Sequence, residues 1–352
     1  MDYIGSTDSV TWRSVRGWAY SPDNPNLPVD VFAGDEKIGT AIAGEFRVDL
    51  KNAGIGDGRH AFYYEIPPEK RGREIRCQVG DFIVPQPSPE TGDEYVRWRA
   101  RRRARLLSRL PLGKERGLEF GPLHDPLVPP NTFNIKYVDH ASTEDLCKKY
   151  EHDAAVDARE IVPVDFVWLD KPLRDSIFPF TAIGYAVALH VAEHVPDLIG
   201  WMLQIRSAIR KGGILALALP DKRYCFDYRR KSSKVSELIG AYARSEKRPT
   251  PGMIYDSRSN AVSHNGAIAW YTWQTPPRDE DLKFVHTKQE AFATAAAAQN
   301  SGEYLDAHCW VFTPETFAET MGELKAIGLF PFNISELHGP DGHEFIAILE
   351  AE

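Results

Sequence analysis

Residues 181–221 read TAIGYAVALHVAEHVPDLIGWMLQIRSAIRKGGILALALPD, and this stretch decides the fold. TAIGYAVALHV is a continuous apolar run, too short to cross a membrane and suited to a central strand buried on both faces. After HVPD, Leu198, Trp201, Met202, Ile205 and Ile209 recur at spacings of three and four, with Pro196 near the start and Gly212-Gly213 at the end, which is the pattern of an amphipathic helix. ILALALP, 214–220, returns as a second buried strand. Strand, helix and strand in this order make a crossover unit, and so a parallel sheet covered by helices.

The alternation continues outward. RGLEFG (116–121), NIKYVDH (134–140) and IVPVDFVWL (161–169) read as the first three strands, which makes the run at 181–191 the fourth and ILALALP the fifth. Thr313-Pro314-Glu315 starts a helix whose Phe317, Met321, Leu324 and Ile327 share one face and which Gly328 closes. FPFNISELHG (330–339) and HEFIAILE (343–350) then flank the turn GPDG as a β-hairpin. The stretch Lys222–Phe312 is longer than a crossover needs and reads as a substrate cap, with helices at 233–245 and 287–299. Thr287-Lys288-Gln289-Glu290 has the capping-box spacing at the start of the second.

Residues 1–85 carry short alternating runs, VDVFAG, IGTAIAG, HAFYYEIP and IRCQVGDFIV, between turn-rich pieces such as SPDNPNLP and GIGDGRH. This is the punctuation of a small all-β sandwich, with Gly34-Asp35 and Asp57-Gly58 supplying tight turns. Residues 86–113 combine a proline-rich linker, within PQPSPETGD at 85–93, with the arginine helix RWRARRRARLLSR at 97–109. That helix reads either as a solvated connector laying Trp98, Leu106 and Leu107 on one domain, or as a surface for an anionic glycan, a lipid surface or an acidic partner protein. The expected domains are thus 1–85, the connector 86–113, and an α/β domain over 114–352 with its cap at 222–312.

Composition sets outer limits. The 352 residues are 43% hydrophobic and 26% charged, the balance of a globular chain of two ordinary domains. A net charge of −8 argues against nucleic acid as a partner. The acidic start lacks a signal peptide's basic and apolar regions, so a cytoplasmic location is expected. Cys77, Cys147, Cys225 and Cys309 are far apart and read as reduced thiols.

In an open α/β sheet, ligands collect beyond the carboxyl ends of the strands, where strand order reverses. Glu119 ends the first strand, Gly121 makes its turn, and Asp139 ends the second, 20 residues after Glu119. An acid at that last position accepts both hydrogen bonds of a ribose diol, in nicotinamide and S-adenosylmethionine (SAM) enzymes alike. No GxGxxG is present to bring backbone against a pyrophosphate, which disfavours a dinucleotide.

The block HVAEHVPD, a helix, GG and ILALALPD closely resembles the "HVLEHVPD...LRPGGxLxLxxPD" stretch of class I SAM-dependent methyltransferases. The resemblance takes in LEFGPLHDP, YVDH, DKRYCFDY, GEYLDAHCWVFTPETF and the final hairpin, most of residues 117–350. It implies a Rossmann-like seven-stranded sheet and SAM as cofactor, with Glu119 facing the methionine end, Gly121 allowing close approach, Asp139 holding the ribose and Asp170 meeting the adenine. This chain departs from the family's E/D-x-G-x-G-x-G loop, because Leu123 and Asp125 take the second and third glycine places and Pro122 lies between. Ile183-Gly184 also stands where Phe-Asp is common. Residues 17–67, including GWAYSPDNP, GDEKIGT and FRVDLKNAGIGDGRHAF, resemble a β-sandwich module of bacterial surface-polysaccharide enzymes.

Methyl transfer to a hydroxyl benefits from a base near pKa 7, and histidine is the natural choice. His190, at the end of the fourth strand, is the first candidate for base or substrate orienter, and His308 the second. His194 completes HVAEH, but this is not HExxH, and no metal is expected. Asp221, Arg223 and Tyr224 follow the fifth strand; Arg223 either clamps an anionic group or fastens the cap. Tyr304 and Trp310 form either a sugar-stacking wall or ordinary packing, as do Trp270, Tyr271 and Trp273. The reading that joins these features is O-methylation of a sugar or glycan intermediate. Its rivals are a methyltransferase of a small metabolite or lipid precursor and an inactive scaffold. Oligomeric state is open.

Overall fold

The computed structural model describes residues 3–24, 26–86, 93–153 and 156–352, so positions 87–92 of the expected linker lie outside the described residues. Contacts divide the chain into two compact units: residues 1–100, 123–133 and 143–162 form one, and residues 101–122, 134–142 and 163–352 the other. The division does not follow the linear boundaries read from the sequence, and it falls inside the arginine helix.

The first unit contains β1 (Ile4–Val10), β2 (Ser14–Tyr20), β3 (Leu27–Ala33), β4 (Glu36–Ala43), β5 (Glu45–Phe46), the short helix α1 (Val48–Asn52), β6 (Arg59–Glu65), β7 (Ile75–Val79) and β8 (Phe82–Ile83). They pair as two four-stranded antiparallel sheets, ordered β1-β2-β6-β5 and β4-β3-β7-β8. Along β3 the alternate residues Leu27, Val29, Val31 and Ala33 are buried, as period-two side chains require, and they share a core with Val15, Ala19 and Phe62 of the other sheet. Gly34 and Gly58 have φ of +62° and +85°, conformations that a glycine adopts without penalty. Helix α2 (Glu94–Leu107) follows, and α3 (Thr143–Lys149) also belongs here. The buried carboxylate of Glu160 accepts from Thr11 Oγ1 at 2.7 Å and Ser14 Oγ at 2.6 Å within the same unit.

In the second unit, β9 (Arg116–Phe120), β10 (Ile135–Asp139), β11 (Phe166–Val167), β12 (Ile183–Leu189), β13 (Ile209–Pro220), β16 (Phe332–Asp341) and β17 (Glu344–Ala351) form one seven-stranded sheet. Its order is β11-β10-β9-β12-β13-β17-β16. The first five strands are parallel, and β17 and β16 close the edge as an antiparallel hairpin, the layout that the resemblance implies. Helices are α4 (Leu173–Ser176), α5 (Leu198–Ala208), α6 (Val235–Arg244), α7 (Pro251–Asn260), α8 (Lys288–Ser301) and α9 (Pro314–Ala326), with a small ribbon of β14 (Val262–His264) and β15 (Leu282–Phe284). Among the described residues no helix is long and apolar enough to cross a membrane.

Local chemistry accounts for these elements. Asp197 caps α5, its Oδ1 accepting from Gly200 N at 2.8 Å, while Leu198, Trp201, Met202 and Ile205 turn inward. Ile209 starts β13 instead of ending the helix, and Gly212-Gly213 sits inside that strand. Pairing of β12 with β13 jumps from Ile183↔Ile209 to Tyr185↔Ile214, so the intervening residues bulge, and a Cβ on Gly213 would come 2.8 Å from Gly184 O. The third strand shrinks to two residues, because Pro163 has no N–H for a ladder and Asp165 instead accepts from Tyr137 N at 2.9 Å. Thr287 and Glu290 form the capping box at α8. On α9, Phe317, Met321 and Leu324 are buried, whereas Ile327 is exposed where Gly328, with φ +78°, ends the helix.

The cap at 222–312 leaves and rejoins the sheet at one place, since Lys222 N donates to Phe312 O at 3.0 Å. Its interior holds two small apolar clusters, one around Ile254, Ala295 and Ala307 and one around Val262, Trp270 and Leu282.

Candidate functional site

Strand order reverses between β9 and β12, so the crevice beyond their carboxyl ends is where an α/β sheet binds ligands. Glu119, buried, sits opposite Val187 of β12 and Tyr137 of β10. Gly121 follows with φ +58°, its N–H donating to Val138 O at 2.9 Å. Leu123, in place of the second glycine, keeps a glycine-like φ of +46°, a conformation that costs a side chain about 1–2 kcal/mol. Asp139 is buried at the end of β10, its Oδ1 accepting from His140 N at 2.7 Å. Pro122 is half-buried in the turn. Asp170 does not join this group: its side chain is 86% exposed and 3.8 Å from Lys247.

Three histidines and their carboxylates gather after β12. His190 has φ +53°, a strained backbone of the kind that persists where the surroundings fix it, and its N–H donates to Ala218 O at 2.9 Å. Its Nε2 lies 2.7 Å from Glu344 Oε2 and its Nδ1 3.5 Å from Glu193 Oε1. Burial alone would lower the His190 pKa, but Glu193 and Glu344 outweigh it and raise it to about 9. Glu344, buried, also accepts from Arg102 Nε at 2.6 Å, and against the upward pull of burial these partners take it to about 2. Its two carboxylate neighbours thus favour the imidazolium form of His190. Of the two roles expected of His190, base or substrate orienter, a protonated ring suits the orienter, which donates to an acceptor oxygen.

His308, buried, puts Nδ1 2.5 Å from Asp227 Oδ2, which fixes its ring and leaves Nε2 as the working nitrogen. Asp227 in turn accepts from Arg230 Nη1 at 2.8 Å, and Arg230 reaches Asp256 with its Nε at 2.8 Å. His194 puts Nδ1 2.9 Å from Asp306 Oδ1 and Nε2 4.0 Å from Glu193 Oε1. The His194 and His308 rings meet edge to face, 4.7 Å apart. Glu193 is at the centre: it is 1% exposed, neither carboxylate oxygen makes a hydrogen bond, and its carbonyl receives Cys309 N at 2.7 Å. Burial would raise its pKa, but the surrounding histidines hold it below the usual range.

The other sequence candidates divide. Arg223 forms a two-pronged pair with buried Asp221, at 2.9 and 2.6 Å, and lies 3.6 Å from Glu315, which fits fastening of the cap. Tyr224 packs on the Trp270 cluster. Trp310 is buried and donates Nε1 to Val195 O at 2.7 Å. Trp270 is likewise buried, whereas Tyr271 and Trp273 stack 4.5 Å apart. Tyr304, exposed, stacks on His140 next to Asp139. Arginines of α2 and the residues after it meet the chain's own carboxylates: Arg101 and Arg105 reach Asp341, Arg102 reaches Glu344, and Arg109 reaches Glu336.

A cavity of about 560 Å³ opens within the cap, lined by Lys231, Ser233, Lys234, Ser236 and Arg244 with Met253 and Trp310 at its apolar side. Arg230 joins it to the Asp227–His308 pair. The sequence reading missed Glu193, Asp227, Arg230 and Glu344. Glu193 stood in HVAEH and Asp227 in DKRYCFDY, but Glu344 pairs with a residue 154 positions away, which no local pattern signals.

No family model matches the chain, and no curated protein does. Solved structures give distant likenesses. The CcbJ methyltransferase from Streptomyces caelestis is 10% identical over 76% of this chain and 99% of its own, with a TM-score of 0.35. A putative S-adenosylmethionine-dependent methyltransferase from Listeria monocytogenes is 10% identical over 72% and 99%, at 0.34. The CurJ carbon methyltransferase is 13% identical over 70% of this chain, at 0.31, and the match spans only 50% of that protein.

Proposed function

We propose that this chain is a SAM-dependent methyltransferase acting on a hydroxyl of a polar, anion-bearing acceptor, a sugar or glycan intermediate being the class that fits. The observation that carries the reading is the crevice between β9 and β12, where buried Glu119, the left-handed turn at Gly121 and buried Asp139 stand beside the His190 cluster. These residues fit the cofactor: Glu119 would take the charged methionine end, Gly121 the close backbone approach and Asp139 the ribose hydroxyls. SAM supplies an activated methyl group. The chain would hold the acceptor oxygen in line with that methyl group, with His190 as the orienting donor.

The cap cavity supports the acceptor class. Its lysines, arginine and serines, beside Glu237 and Asp256, suit a phosphate or carboxylate and sugar hydroxyls better than an apolar lipid precursor. The likeness of residues 17–67 to modules of surface-polysaccharide enzymes points the same way.

The test is methyl transfer from labelled SAM to a panel of nucleotide sugars, sugar phosphates and uncharged lipid alcohols. Label should enter a hydroxyl of a charged sugar, and the Lys231→Ala/Lys234→Ala variant should raise KM at least about tenfold with kcat nearly unchanged. Preference for uncharged lipid alcohols, or an unaltered KM, would overturn the acceptor assignment.

A further inference from the structure

We infer that Glu193, His194 and His308 form a binding site for one divalent transition-metal ion of the zinc type. The ligand atoms of these three residues lie within 4.8 Å of one another, around a point that metal bonds of about 2.0–2.2 Å would contract.

Two independent features of the cluster point to a cation. Each histidine has Nδ1 held by a carboxylate, His194 by Asp306 at 2.9 Å and His308 by Asp227 at 2.5 Å, which leaves Nε2 of each ring for a ligand, that of His194 4.0 Å from Glu193. Metal-binding histidines are held in this way, because the outer carboxylate sets the tautomer and raises the basicity of the ligating nitrogen. The second feature is Glu193 itself. The imidazoles around it, the nearest at 3.5 Å, answer the charge of this carboxylate, 1% exposed, yet neither of its oxygens has a hydrogen-bond partner. A bound dication would complete its coordination.

The neighbouring group of His190, His343 and Glu344 is less suited, since Glu344 is already held by His190 and by the Arg102 guanidinium at 2.6 Å. Two imidazoles and one carboxylate select a borderline ion such as Zn²⁺ or Co²⁺ over Mg²⁺ or Ca²⁺, and three protein ligands leave a fourth position open. HVAEH thus ligates through its Glu and second His, with the remaining ligand brought from His308, 115 residues after Glu193 in the chain; this differs from the absence of metal expected from the sequence.

The test uses the full chain, stripped with a chelator, and needs neither SAM nor acceptor. Co²⁺ titration followed by visible absorption, and Zn²⁺ titration by calorimetry, should give one site per chain, with no comparable site for Mg²⁺. Glu193→Gln and His308→Gln should each lose the Co²⁺ spectrum, and Asp227→Asn should weaken binding about 10–100-fold. Circular dichroism checks that each variant is folded, and His194→Gln serves in place of one that is not. Failure of the stripped wild type to bind either ion, or wild-type affinity in folded Glu193→Gln or His194→Gln, would overturn the assignment whatever the outcome for SAM.

Discussion

His190 lies between two buried carboxylates, and its charge is tied to stability through linkage. Its pKa is raised from 6.5 to about 9, so its contribution is complete below about pH 6.5 and disappears as pH rises through 9. Glu344 is lowered from 4.5 to about 2, so its contribution is present above about pH 4.5 and disappears as pH falls through 2. Both act fully between roughly pH 4.5 and 6.5. In chelator-treated protein, His190→Gln should therefore lower Tm more at about pH 6 than at about pH 9.5. A Tm difference independent of pH across that range would contradict the imidazolium assignment.

At the scale of elements, the sheet is built on close approaches that only glycine permits. A Cβ on Gly117 of β9 would lie 2.1 Å from the ring of Tyr185 on β12, and that ring is fully buried and cannot retreat. Gly117→Ala should cost about 1–3 kcal/mol or more, read from urea unfolding; a loss under about 0.5 kcal/mol would mean that the two strands tolerate more space than the packing indicates. Elements with strong periodicity were legible in the sequence: α5, α9, β12 and the final hairpin fall close to where their apolar spacing puts them. Elements decided by a partner were not. The third strand reads as nine residues but keeps two, because Pro163 and the Asp165 side chain end its ladder. Gly212-Gly213 resembles a helix stop in sequence, yet it serves a strand bulge against Gly184.

At the scale of the molecule, the crevice was legible because the ends of the first two strands, with Glu119 and Asp139 there, follow from local pattern. Glu119, Gly121, Asp139 and His190 are all at carboxyl ends of the central strands, whereas Asp170, chosen by a loose alignment, is exposed. The side-chain network was not legible, because it is assembled across long separations: His190 with Glu344, His308 with Asp227, His194 with Asp306. Nor did composition show that Arg101, Arg102, Arg105 and Arg109 would be met by the chain's own carboxylates. The central claim is that the crevice beyond β9 and β10 holds SAM, and calorimetric titration of the full chain with SAM and with S-adenosylhomocysteine tests it most directly. Micromolar binding of both, lost in folded Asp139→Ala, is the predicted result; absence of binding by the wild type would contradict the account and leave the fold as an interaction scaffold.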